Sequence, residues 1–123
     1  MERILAVVGA CLGLAAVLLG AFGAHALQNR LAPADLATFE TAVRYQMYHA
    51  LALILVAVVV GRHPGPLGSW AGWAFVAGIL VFSGSLYLLV WTGVRALGAV
   101  TPMGGLFLLA GWALLALHLI RAP

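Results

Sequence analysis

A chain of 123 residues has room for one compact unit, and 65% of this one is apolar while only 7% is charged. A soluble domain carries about 25% charged residues to keep its surface wet, so the composition excludes a water-facing globule and makes lipid the outer solvent. The net charge of +3 includes six arginines placed singly, Arg3, Arg30, Arg44, Arg62, Arg95 and Arg121, with no basic run, which leaves a nucleic-acid partner with little support.

Four apolar stretches predict helices over approximately 4–27, 33–61, 67–92 and 102–120, each compatible with the ~20 residues that span ~30 Å of hydrocarbon. In the first, Gly9, Gly13, Ala16, Gly20 and Ala24 recur on one face and form a smooth stripe for close helix approach. The same stretch has the outline of a secretory signal. Arg3 stands for its charged start, and Ala24-His25-Ala26 mimics a small-residue cleavage site, with Val8-Gly9-Ala10-Cys11 as a lipoprotein variant. Both readings fail on length: the apolar run before Ala24 exceeds the usual ~7–15 residues, and the run before Cys11 falls short of it. Helix 1 is therefore expected to stay in the molecule. Cys11 is the only cysteine, so it has no disulfide partner within the chain.

The breaks between stretches carry turn chemistry. Gln28-Asn29-Arg30 is polar and Pro33 suits a first helical turn, while Arg62-His63-Pro64-Gly65-Pro66 cannot continue a helix. Ala71, Gly78 and Ser85 share a face of the third helix, and Thr101-Pro102 reads as an N-cap and first position of the fourth, whose Gly104 and Gly111 again share a face. These small-residue seams suit packing inside one molecule; a homo-oligomer interface is the alternative. Connections this short make consecutive helices antiparallel. The expected fold is an all-α membrane protein, an antiparallel four-transmembrane-helix bundle, with one domain over 1–123. It is expected to be a multi-pass protein of the cell (inner) membrane with both termini on the same side. Three arginines fall on each side, so charge bias barely sets the orientation; Arg3 and the amino terminus ahead of helix 1 tip it toward both termini inside.

Ionisable groups within a span cost about 2.5–3.5 kcal/mol at the bilayer centre on insertion scales, so each one present needs a reason. His25 and Gln28 end helix 1, Glu40, Arg44, Tyr45, Gln46, Tyr48 and His49 begin helix 2, Tyr87 and Thr92 end helix 3, and Arg95 follows. In an up-down-up-down bundle these ends meet on the side away from the termini, whereas His118 falls beside Arg121 on the other. Helix 2 projects beyond the hydrocarbon, which suits an interfacial Glu40–Arg44 pair with the acid first; the sharper alternative turns Arg44 inward onto an anionic headgroup or substrate. Glu40 and His49 are nine residues apart and face opposite ways, while Gln46 and His49 lie about 60° apart at 100° per residue and share a face. The candidate binding residues are therefore His25, Arg44, Tyr45, Gln46, His49 and Tyr87. They are expected to enclose water, a headgroup or a ligand if functional, and to satisfy one another if structural. Two histidines fall short of the donor sets that zinc sites use, so no metal and no cofactor is assigned. Ser83-Gly84-Ser85 has no base nearby and reads as packing; there is no HExxH, GxSxG, CxxC or phosphate-cradling glycine loop, and no catalytic residue is assigned.

Several stretches are shared with a known group. They are Gly20-Ala21-Phe22-Gly23-Ala24-His25-Ala26-Leu27, Thr41-Ala42-Val43-Arg44-Tyr45-Gln46, His49-Ala50-Leu51-Ala52-Leu53, Phe82-Ser83-Gly84-Ser85-Leu86-Tyr87 and Thr101-Pro102-Met103-Gly104-Gly105. In combination, and over nearly the whole chain, the sequence resembles domain-of-unknown-function family 423, small membrane proteins that include transmembrane protein 256. The resemblance implies a four-helix membrane protein and no activity. The family's recurring polar positions correspond to His25, Tyr45, Gln46 and His49. The leading expectation is a non-enzymatic bundle acting through membrane lipids or partner proteins; the alternative is a small oligomeric transporter or channel that uses the intramembrane polar cluster, and a membrane enzyme or haem protein using His25 and His49 ranks third.

Overall fold

The structure, a computed structural model, describes residues 1–123. Four long helices account for nearly all of it: α1 (Glu2–Phe22), α2 (Pro33–Arg62), α3 (Pro66–Thr92) and α4 (Thr101–Arg121). A π-helical turn (Gly23–Leu27) prolongs α1, and a 3-10 turn (Arg95–Ala99) leads into α4. All four are long and apolar enough to cross a membrane. Proline opens α2, α3 and α4, where its missing N–H costs no helical hydrogen bond. Gly93 ends α3 in the left-handed conformation at φ 72°, with its N–H on the Leu89 carbonyl, the glycine stop that many helices use. Thr101 does not cap α4 as its sequence context suggests. Its hydroxyl is drawn instead to Ser85 of α3 at 2.6 Å, because the 3-10 turn delivers it against that helix.

The helices pack in chain order, α1 on α2, α2 on α3 and α3 on α4, while α1 and α4 do not pack on each other. Glycine makes the close seams. A Cβ on Gly9 would fall 2.9 Å from the Ala50 carbonyl oxygen of α2, and one on Gly23 would fall 2.7 Å from the Phe39 ring. On α4, a Cβ on Gly104 would meet Phe82 Cα at 2.6 Å and one on Gly111 would meet the Phe75 ring at 2.6 Å. Of the small-residue stripes read from the sequence, Gly9, Ala16, Ala71, Gly78, Ser85, Gly104 and Gly111 are buried within one molecule, whereas Ala24 at the end of the first stripe is exposed. Dispersion at such close approach replaces the hydrophobic drive that lipid cannot supply. Between the seams lies a continuous apolar core, with Leu5 of α1, Leu53 and Val56 of α2, and Phe75 of α3 fully buried.

One end of the bundle gathers Glu2 beside Gly61, and His118 beside Gly65 and Gly68; we call it the near end and the opposite one the far end. Exposed Trp70 and Trp91 mark the two ends of α3. They are separated by about 32 Å at 1.5 Å per residue, close to the ~30 Å of hydrocarbon, and Trp prefers the two interfaces.

The seams give a contrasting pair of expected outcomes. Gly104→Ala forces α3 and α4 apart and should lower stability by about 1–3 kcal/mol, the usual range for overpacking. Gly84→Ala adds a methyl group to open space and should hold or raise stability, since alanine is the better helix former by about 1 kcal/mol. Thermal melts of both variants in one detergent check the pair.

Candidate functional site

Gln46 is the junction of the polar cluster. It lies near the middle of α2 and is buried. Its Nε2 donates to the Leu12 carbonyl of α1 at 2.9 Å, and its Oε1 accepts from the Tyr87 hydroxyl of α3 at 2.6 Å. One amide therefore ties three helices at one depth. A helical carbonyl keeps a second lone pair for such a donor, so α1 yields nothing of its own ladder. Tyr87 is steadied by Phe39, whose ring centroid is 5.5 Å from its own.

His49, one turn further along α2, is also buried. Trp112 of α4 donates its indole N–H to His49 Nε2 at 3.2 Å, and His49 Nδ1 lies 2.7 Å from the Tyr45 carbonyl. With Nε2 accepting, Nδ1 carries the hydrogen and donates, so both ring nitrogens are used. Phe75 packs against both rings, at centroid distances of 5.4 Å to His49 and 5.1 Å to Trp112. Two further bonds continue the pattern: the Ser83 hydroxyl of α3 donates to the Ala42 carbonyl of α2 at 2.7 Å, and Ser85 meets Thr101. No buried side-chain nitrogen or oxygen is left without a partner.

The six sequence-derived candidates therefore separate. Gln46 and Tyr87 bond directly, and His49 joins Tyr45 through the backbone while the Tyr45 ring stacks on Phe82 at 4.5 Å. Arg44 faces outward and pairs with Glu40 at 3.6 Å, the interfacial arrangement rather than the inward one. The placement of His25 is corrected: it sits on the exposed π-turn and does not meet His49. The reason is depth. Gln46 and His49 lie at the level of Leu12 and Gly9, and His25 is about 20 Å further along the helix axis from Leu12 at 1.5 Å per residue. Because about 20 Å of helix separate Pro33 from Gln46 at 1.5 Å per residue, residues 46–49 fall near the middle of α2 and not at the far end.

Trp112 is the participant that sequence reading missed. The available signal was its position: a tryptophan near the middle of a span is away from the interfaces that tryptophan favours and needs an acceptor for its N–H. The Arg95–Asp35 bond at 3.1 Å, which clips the 3-10 turn to the first turn of α2, was equally hidden by 60 residues of separation.

A bundle whose apolar sides face outward and whose polar groups close on one another inside is a polytopic membrane protein of the helical class. The chain belongs to the family described as protein of unknown function DUF423, whose sequence model matches residues 19–105. It is 44% identical over 113 residues to a UPF0382 membrane protein of Staphylococcus haemolyticus, covering 92% of both chains. It is 41% identical over 121 residues to the UPF0382 membrane protein YwdK of Bacillus subtilis, covering 97% of this chain and 98% of the relative. No solved structure matches the chain.

The Gln46–Tyr87 bond should register in a double-mutant cycle. Gln46→Leu and Tyr87→Phe, alone and together, are expected to give a coupling energy of about 0.6 kcal/mol and no more than ~1.7, the range for interhelical hydrogen bonds in membranes. Unfolding equilibria of the four proteins in bicelles measure it, and additivity of the two single changes would show that the bond contributes nothing to stability.

Proposed function

We propose that the protein is a non-catalytic bundle of the cell membrane, with both termini on one side, that acts through its contacts with lipids or partner proteins. The observation that carries this reading is the closure of the mid-span polar cluster. Gln46, His49, Tyr87 and Trp112 use their hydrogen-bonding capacity on protein groups at 2.6–3.2 Å. A carrier site needs polar groups free to exchange a solute for water, a general acid needs a proton it can donate and a general base a lone pair it can offer; side chains engaged with one another are not free for these roles. An even number of membrane-length helices supports the shared side of the termini, and bacterial relatives named as membrane proteins support the location.

Proteoliposomes test the reading. The purified chain should pass no more monovalent cation, anion or proton than protein-free vesicles of the same lipid, and His49→Ala should lower stability without altering that baseline. Ion-dependent flux above the baseline, abolished by His49→Ala in a variant that still folds, would establish the alternative of an oligomeric transporter or channel.

A further inference from the structure

The polar cluster is closed, but the bundle is not closed everywhere. At the near end α1 leans onto α3, with Leu5 seated over Gly72. Further along, the glycine seam holds α1 against α2: Gly20 lies against Val43 and Gly23 against Phe39. Toward the far end α1 therefore follows α2 and leaves α3, and a cleft of about 550 Å³ opens between them. Leu19 and Phe22 form one wall, Val90 and Trp91 the other, and Phe39 of α2 the floor. A volume of this size lies within the ~300–1,000 Å³ typical of ligand sites.

The cleft has a single charged group. Arg30 lines it from the turn after α1, where the Leu27 carbonyl accepts the backbone N–H groups of both Arg30 and Leu31 at 3.0 Å and so fixes the turn. The chain has three acidic residues. Glu2 pairs with the amino terminus at the near end, Glu40 takes Arg44, and Asp35 takes Arg95. No carboxylate remains for Arg30. Two other residues at the cleft have a polar atom on the side chain: Tyr87 has already given its hydroxyl hydrogen to Gln46, and Trp91 carries only a neutral indole N–H. The site is therefore an apolar slot in the membrane with one unpaired cation at the level where headgroups lie.

Resting on the lipid-contact reading above, we propose that this cleft binds one anionic phospholipid, its acyl chain between α1 and α3 and its phosphate on Arg30. Length, apolarity and negative charge are the three properties the slot selects. A free anion lacks the chain that fills the walls, and a neutral lipid leaves Arg30 unneutralised.

Native mass spectrometry of the full chain in neutral detergent tests it, with dioleoylphosphatidylglycerol and dioleoylphosphatidylcholine as probes. One phosphatidylglycerol should be retained per chain, preferred about fivefold over phosphatidylcholine, as one arginine at a membrane surface warrants. Arg30→Gln should bring that preference close to one with an unchanged melting temperature, and Arg121→Gln, at the near end, should leave it fivefold. Val90→Trp should reduce retention of both lipids by filling the slot. Leu31→Trp, on the exposed turn, repeats that test if the first variant does not fold. An undiminished preference in Arg30→Gln, or an equal loss in Arg121→Gln, overturns the assignment. Such a failure in a protein that passes no ions overturns the cleft alone, whereas flux in the liposome assay overturns the functional reading whatever the lipid result.

Discussion

In hydrocarbon there is no water to accept a stray hydrogen bond, so every polar group carried into the membrane must find its partner on another part of the protein. Gln46 meets this constraint by reaching α1 at the Leu12 carbonyl and α3 at the Tyr87 hydroxyl. Sliding α1 or α3 by one turn would break a bond that lipid cannot replace. The amide thus fixes the relative heights of three helices.

The remaining clips follow the same rule with different chemistry. Ser83 ties α3 to α2 through a backbone carbonyl, Ser85 and Thr101 tie α3 to α4, and Trp112 ties α4 to α2 through His49. At the near end His118 Nε2 lies 2.9 Å from the His63 carbonyl, which caps the exit of α2. Glycine and hydrogen bonds divide the labour. Gly9, Gly104 and Gly111 set how close the helices come, and the clips set where along their length they stop. Neither class of interaction alone would specify one arrangement, since smooth glycine seams slide and isolated hydrogen bonds in membranes contribute only about 0.6 kcal/mol on average.

This division explains what the sequence made legible. Helix number, the proline starts and the close-approach faces are local properties of apolar length and residue size, and they can be read without knowing any partner. The shared face of Gln46 and His49 is likewise local, since it needs only the pitch of α2. Depth is not local. Whether His49 meets His25 or Trp112 depends on how far α2 runs before it is clipped to α1, and that offset comes from the Asn29–Pro33 turn and the Gln46–Leu12 bond together. The ion pairs divide in the same way. Glu40–Arg44 was visible as a spacing of four on one helix, while Asp35–Arg95 needed the tertiary fold.

The arginines show how the same constraint reaches the surface. An unpaired guanidinium beside hydrocarbon is costly unless it extends to the headgroups or meets an anion. At the far end two of the three arginines have carboxylates for partners. Arg30 has none, and it stands at the one place where α1 and α3 separate. Had Asp35 faced Arg30 instead of Arg95, the cleft mouth would be neutral, and the 3-10 turn before α4 would lose its tie to α2. The pairing of Asp35 with Arg95 therefore stabilises the far end and, by the same choice, leaves the cleft its positive charge.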